Sequence, residues 1–230
     1  MAAEPGAPRA PAPRASGGLF VAFEGGDGAG KSTQLRRLAA DLRARGRAVV
    51  ETREPGGAPG AEAVRALLLE GEPGRWSPMT ELLLFNAARR DHVERVILPA
   101  LDAGAVVLCD RFADSTRVYQ AAARAAAGPA GLPMPSLPMA DALHDLVIGI
   151  DPDLTLIFDL DPDTALARGL ARGGAETRFE RLGLAFHRDV RARFRALAET
   201  RPGRILIDSA GDPEAVAARV RAALADALPA

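Results

Sequence analysis

The chain has 230 residues, 48% of them hydrophobic, and a formal net charge of -1. That length and apolar content supply one α/β core and fall short of two comfortable domains. Near-neutral charge argues against a broad nucleic-acid or membrane-surface partner, no apolar run approaches the roughly 20 residues of a membrane span, and the single cysteine, Cys109, excludes an internal disulfide, so a soluble, cytoplasmic protein is expected.

Residues 1–18 are dominated by Ala, Pro, Gly and Arg without apolar periodicity. Pro5, Pro8, Pro11 and Pro13 break any amphipathic targeting helix and no signal-peptide core is present, so the expectation is a disordered tail followed by a single domain over 19–228. Leu19 to Phe23 predicts a buried strand. Directly after it, Gly25-Gly26-Asp27-Gly28-Ala29-Gly30-Lys31-Ser32 fits the pattern of glycine, four residues, glycine, lysine and serine or threonine. Thr33 follows, and Gln34 to Leu38 continues as a helix. Lys31 is the only lysine; every other member of the 29 Lys plus Arg residues is arginine. Glycines let successive N–H groups converge on phosphates at the positive end of the next helix, and a compact ammonium suits that pocket better than a wide guanidinium. A Gly-rich structural turn is the alternative for such a pattern alone; the strand before it and the helix after it favour a nucleotide-phosphate cradle.

Ala48 to Thr52, Ala105 to Asp110, Leu154 to Asp159 and Arg204 to Asp208 read as four more short apolar strands separated by helical stretches. Such alternation predicts a parallel sheet covered by helices on both faces, with ligands at the carboxyl ends of its strands. Gly128 to Pro138 reads as a long Gly- and Pro-rich loop.

Candidate functional residues cluster at those ends. Asp110 closes the third strand, where it would either hold Mg²⁺ opposite the Ser32 hydroxyl or cap a helix. Arg111 follows it into the same cleft. Arg53 sits in Thr52-Arg53-Glu54-Pro55-Gly56-Gly57, placed for a second phosphate. Phe85 and Arg89 lie four apart on one helix face, and an aromatic plate beside a donor fork suits a flat base; a core Phe and a surface Arg is the plainer alternative. Asp114 to Gln120 continues the cleft with the only tyrosine, Tyr119. Arg168, Arg172, Arg178 and Arg181, among Gly169, Gly173 and Gly174, form either a solvated charged face or a mobile lid. His92, His144 and His187 show no metal-ligand spacing and are assigned to packing.

Together these residues resemble the thymidylate (dTMP) kinases, from about Leu19 to Asp208. The resemblance rests on Phe23-Glu24-Gly25 before the phosphate loop, the Arg53 loop, Leu84-Phe85 with Arg89, Asp110-Arg111-Phe112, Asp114-Ser115-Thr116 with Tyr119-Gln120, and Pro152-Asp153-Leu154-Thr155. It implies a three-layer P-loop kinase fold with a five-stranded parallel sheet and a small Arg-rich lid at about 168–180. It further implies Mg²⁺-dependent phosphorylation of dTMP to dTDP by ATP, with residues 25–33 on the donor and a homodimer formed over Met79 to Leu101. By the same resemblance Phe85 stacks on thymine, Arg89 binds the base edge, Arg53 and Arg111 hold the acceptor phosphate, and Asp27 contacts its sugar. Tyr119 then excludes a ribose hydroxyl, and Ser115 and Gln120 complete the pocket. Gly28, where one branch of the family has a catalytic arginine, places the chain with the bacterial type and leaves that work to Arg168 and Arg172, with Arg178 next. The alanines at 121–123 depart from the family, which usually has glycine after its Tyr-Gln pair. Two alternatives are a kinase for another nucleoside monophosphate and a nucleotide-dependent ATPase or switch; a sole lysine at position 31 leaves no room for the Asn-Lys-x-Asp motif of guanine-reading switches.

Overall fold

The computed structural model describes residues 16–70, 74–125, 135–171, 183–225 and 227, with the side chains of 124, 125 and 168–171 excepted. Five strands, β1 (Leu19–Gly25), β2 (Val49–Arg53), β3 (Val106–Asp110), β4 (Leu154–Asp159) and β5 (Arg204–Asp208), form one sheet in the order β2-β3-β1-β4-β5. Every pairing is parallel, as expected for strands joined by helical crossovers. All carboxyl ends therefore lie along one edge, which places Gly25, Arg53, Asp110, Asp159 and Asp208 side by side there.

The central strands β1, β3 and β4 are buried on both faces, which is why they read as apolar runs, while the edge strands β2 and β5 are partly exposed. On β1, Val21 and Phe23 pack toward α1 (Lys31–Ala44) and α9 (Pro213–Leu224), meeting Leu35, Leu38, Val216 and Val220. Phe20 and Ala22 face the other way, against Phe112, Val93, Ile97 and Leu101. Those last three belong to one helical run: α3 (Pro78–His92) passes through a single wide turn at Val93–Ile97 into α4 (Leu98–Asp102). α2 (Pro59–Leu69) packs on α3, while α5 (Ala113–Ala125), α6 (Leu137–Val147), α7 (Pro162–Ala171) and α8 (Gly183–Thr200) fill the remaining crossovers.

Three local expectations change. α1 begins at Lys31, so the lysine and serine of the phosphate loop are already helical. The loop expected to run to Pro138 ends earlier, because Ser136 caps α6 by accepting from the Met139 N–H and Pro138 sits in the first turn, where its missing N–H costs nothing. The folded chain is engaged before residue 19: the Ser16 hydroxyl donates to Leu101 O at 2.7 Å and Gly18 is buried. Residues 1–15 of the expected tail lie outside the described residues.

Candidate active site

Gly25 to Gly30 leave β1 and curl into α1, whose N-terminus has no side-chain cap. Its first N–H groups are therefore open to an anion, which the helix dipole also favours. Gly28 has φ of 77°, and a Cβ there would run into Ala165 O of α7. A side chain at this point would both strain the loop and push α7 away, which gives a physical reason for its being glycine in this chain. Gly28→Ala is expected to cost about 2–4 kcal/mol in urea unfolding; an unchanged midpoint would contradict the contact with α7.

The Lys31 ammonium is buried, donating to Gly25 O (3.2 Å) and Gly26 O (2.7 Å). Burial, with Arg111 close by, pushes it down to about 8, against the pull of Asp110, Asp27 and Glu24. The Ser32 hydroxyl donates to Asp110 Oδ2, so the end of β3 and the start of α1 meet where Asp110 was expected to face Ser32. These groups line a polar chamber of about 600 Å³ with Asp27, Gly28, Thr33, Arg36 and Arg111.

A second, largely apolar cleft of about 760 Å³ lies beside it, walled by Phe85, Arg89, Phe112, Ser115, Tyr119 and Gln120, again with Asp27 and Arg111. The two chambers share Asp27 and Arg111. Arg111 adopts a left-handed backbone (φ 73°), the only described non-glycine with positive φ, which turns its guanidinium back over the loop. There Nη2 donates to Asp27 Oδ1 (2.6 Å) and Nη1 to Gly25 O (3.1 Å) and Ser115 Oγ (2.9 Å). The Tyr119 hydroxyl donates to Asp27 Oδ2 at 3.0 Å. Burial would raise the Asp27 carboxyl, but the charges of Arg111 and Lys31 outweigh it and hold the group below the ordinary range.

Behind the second cleft, Arg89 is fixed by a buried relay. Its Nε donates to Glu54 Oε2 (2.7 Å) and its Nη2 to Thr116 Oγ1 (2.9 Å), while the guanidinium lies 5.0 Å over the Phe112 ring. Glu54 Oε1 is bonded in turn to His92 Nδ1 (3.0 Å), and His92 Nε2 to the Thr52 hydroxyl (2.7 Å). A neutral imidazole donating at Nδ1 and accepting at Nε2 satisfies both contacts. Gly57, at φ 87°, leaves room for this relay: a Cβ there would stand 2.5 Å from both His92 Nε2 and Thr52 Oγ1.

Of the acceptor-side residues expected from the sequence, Phe85, Arg89, Arg111, Ser115, Tyr119 and Gln120 all line the second cleft. Arg53 does not; it stands half-exposed and paired with Glu62 at 3.0 Å. Arg65 lines the cleft instead, braced on Pro55 O at 2.6 Å. Sequence reasoning missed Arg65 because an arginine in an exposed-looking helix carries no local signal, and it missed Arg36 for the same reason. The three histidines are buried, as packing predicts, but His92 belongs to the relay just described. Of the expected lid, Arg168 lies on α7 with only its backbone described, and Arg172, Arg178 and Arg181 lie outside the described residues.

The polar chamber over the phosphate loop adjoins the apolar cleft across the shared pair Asp27 and Arg111. This is the layout of a P-loop kinase acting on small phosphorylated acceptors. The thymidylate kinase family model matches residues 23–220. The thymidylate kinase of Dinoroseobacter shibae is 55% identical over 208 residues, covering 90% of this chain and 96% of the relative. That of Caulobacter vibrioides is 55% identical over 205 residues, covering 88% and 94%. The crystal structure of thymidylate kinase from Ehrlichia chaffeensis superposes with a TM-score of 0.68 at 34% identity, covering 90% of this chain and 98% of that one. The chain belongs to the thymidylate kinase family.

Proposed function

We propose that this chain transfers the γ-phosphoryl group of ATP to dTMP, giving dTDP and ADP, with the polar chamber holding the donor and the apolar cleft the acceptor. The observation that carries this reading is the wall common to both: Arg111 and Asp27 face each chamber, so the acceptor phosphate meets the donor's terminal phosphate there. An oxygen of the dTMP phosphate forms the new P–O bond while the bond to the β-phosphate breaks and ADP departs. The acceptor is already a nucleophile, so the work is alignment and charge neutralisation.

Lys31 exchanges its two carbonyl partners for β- and γ-phosphate oxygens, and Arg111 aligns the acceptor phosphate. Arg89 reads the base edge over Phe85. Arg168 and Arg172 are the candidates for closing charges. A divalent cation fits the donor set: the Ser32 hydroxyl and the Asp110 carboxylate already touch, and Mg²⁺ takes few protein ligands when phosphates and water supply the rest. Bound there, it would neutralise charge between the β- and γ-phosphates.

In this reading the chain works as a homodimer through the stretch Met79 to Leu101, where Leu83 and Leu98 are exposed. Light scattering at twice the monomer mass is the expected result. No described helix is long and apolar enough to cross a membrane. The setting proposed is the cytoplasm, where a buried thiol such as Cys109 stays reduced.

Initial rates on dTMP, dUMP, dCMP, dGMP and AMP test the assignment; dTMP is expected to be among the best acceptors, and a preference for another base would remove Phe85 and Arg89 from their roles. Tyr119 packs against Phe186 and Phe194, which fixes its ring beside Asp27. Tyr119→Ala is expected to narrow the deoxy-to-ribo preference about tenfold, on the order of 1.4 kcal/mol, and an unchanged ratio would exclude it as the sugar filter.

A further inference from the structure

Glu24 is the penultimate residue of β1, on the same sheet face as Phe20 and Ala22, and it is fully buried. A carboxylate on an apolar stripe calls for partners. Its Oε1 accepts from the backbone N–H groups of Phe112 (2.8 Å) and Ser115 (2.9 Å), and its Oε2 from the Ser115 hydroxyl (2.5 Å). In effect Glu24 caps α5 from another strand, satisfying N–H groups that a helix start leaves open.

The cap lies next to the chemistry. Arg111 stands immediately before Phe112, and its left-handed backbone is an arrangement that non-glycine residues hold only when the surroundings impose it. Bonds on either side impose it here: Arg111 N–H donates to Phe23 O at 2.9 Å, and Phe112 N–H to Glu24. One hydroxyl also connects the carboxylate to the guanidinium, since Ser115 Oγ donates to Glu24 and accepts from Arg111 Nη1. The chain Glu24, Ser115, Arg111, Asp27 thus runs from the buried strand to the wall between the chambers.

We propose that Glu24 is a positioning residue for phosphoryl transfer: through Phe112 and Ser115 it fixes the left-handed turn and aims the Arg111 guanidinium at the junction of donor and acceptor. This rests on the kinase reading above. The charges around Glu24 sharpen it. Burial, then Asp114 of α5, push its carboxyl up to about 7, while Arg111 and the bonds from Ser115 and Phe112 pull it down. Lys31 of α1 and Cys109 of β3 also lie within its field, and Arg117 of α5, Asp151 before β4 and Arg204 of β5 line the small cavity beside it. Below that pH a protonated Glu24 gives up one acceptor position and its charge, loosening the hold on Ser115 and Arg111; above it the clamp is complete.

The test uses Glu24→Gln, Ser115→Ala and the double variant, each checked for folding by circular dichroism and melting, with steady-state rates on dTMP and ATP from pH 5.5 to 9 as the order of range. At alkaline pH Glu24→Gln is expected to lower kcat about 10- to 100-fold with KM for ATP within about twofold. Its profile should also lack a component of the wild-type acid limb. The phosphate of dTMP titrates in the same range in both enzymes, so the difference between profiles is what counts. Ser115→Ala keeps both backbone bonds to Glu24 and removes the hydroxyl that donates to Glu24 Oε2 and accepts from Arg111, so the carboxylate loses its connection to the guanidinium. It is expected to lower kcat and flatten the same component, and the double variant should be no slower than the slower single one.

A helix cap without a catalytic consequence would lower the melting temperature and leave kcat and its pH dependence as in wild type. That result for a folded Glu24→Gln overturns the proposal. If Glu24→Gln does not fold, a Ser115→Ala enzyme with wild-type kcat and profile overturns it instead. A wild-type chain that leaves dTMP unphosphorylated overturns the kinase assignment, and this inference with it; an active wild type matched by both variants overturns this inference alone.

Discussion

Lys31→Ala is expected to lower kcat for dTMP phosphorylation by about 10²–10³-fold, a loss of roughly 3–4 kcal/mol of transition-state stabilisation. The ammonium is buried at the mouth of the loop and held by two backbone carbonyls, so it is already placed and largely stripped of water before a triphosphate arrives. Preorganised charge of this kind acts without reorganisation during the reaction. Stability should change by about 1 kcal/mol or less, because two hydrogen bonds are lost while the burial that drags the group down to about 8 is relieved. Lys31→Arg should recover little, since a planar fork does not fit where a compact charge donates to Gly25 O and Gly26 O. Steady-state ADP release, read beside urea unfolding of the same samples, checks both halves. A normally folded alanine variant turning over at the wild-type rate would end the phosphate-chamber assignment.

Glu54→Ala is expected to cost about 3–5 kcal/mol of stability. Glu54 and Arg89 are each 4% exposed and His92 not at all, so removing the carboxylate strands a guanidinium and an imidazole N–H in the interior. The same change frees the Arg89 head from the position in which it faces the cleft, and KM for dTMP should rise with it. Glu54→Gln keeps the shape and one acceptor and should cost less. Urea unfolding midpoints and dTMP titrations measure the two effects. Equal midpoints for wild type and Glu54→Ala would show that the relay contributes nothing to the fold.

The contrast between these two residues shows what a sequence carries. Lys31 stands in a contiguous motif whose glycines and flanking elements act on one another within a dozen residues, so its role is legible from spacing. Glu54 is joined to Arg89 across 35 positions, and Glu24 to Ser115 across 91, and no local pattern records either pairing. Arg65 and Arg53 make the same point in reverse. Both are arginines near the second cleft, and the more conspicuous motif residue, Arg53, turns to Glu62 while Arg65 faces the cavity.

Sequence alone determined the five strands and the phosphate loop with its lysine, and its family resemblance picked out Phe85, Arg89, Arg111, Ser115, Tyr119 and Gln120, which the fold gathers round the second cleft. It could do so because the central strands, buried on both faces, must be largely apolar and the edge strands keep a short apolar run, and because a phosphate cradle needs glycine, lysine and serine at fixed steps along one backbone. Only the tertiary structure decided the strand order, the two chambers meeting at Asp27 and Arg111, and the buried carboxylates of Glu24 and Glu54 that hold the arginines in place. Those depend on which distant segments share a low-dielectric interior, where an unpaired charge is too costly to persist and each carboxylate therefore takes the nearest donors the fold provides.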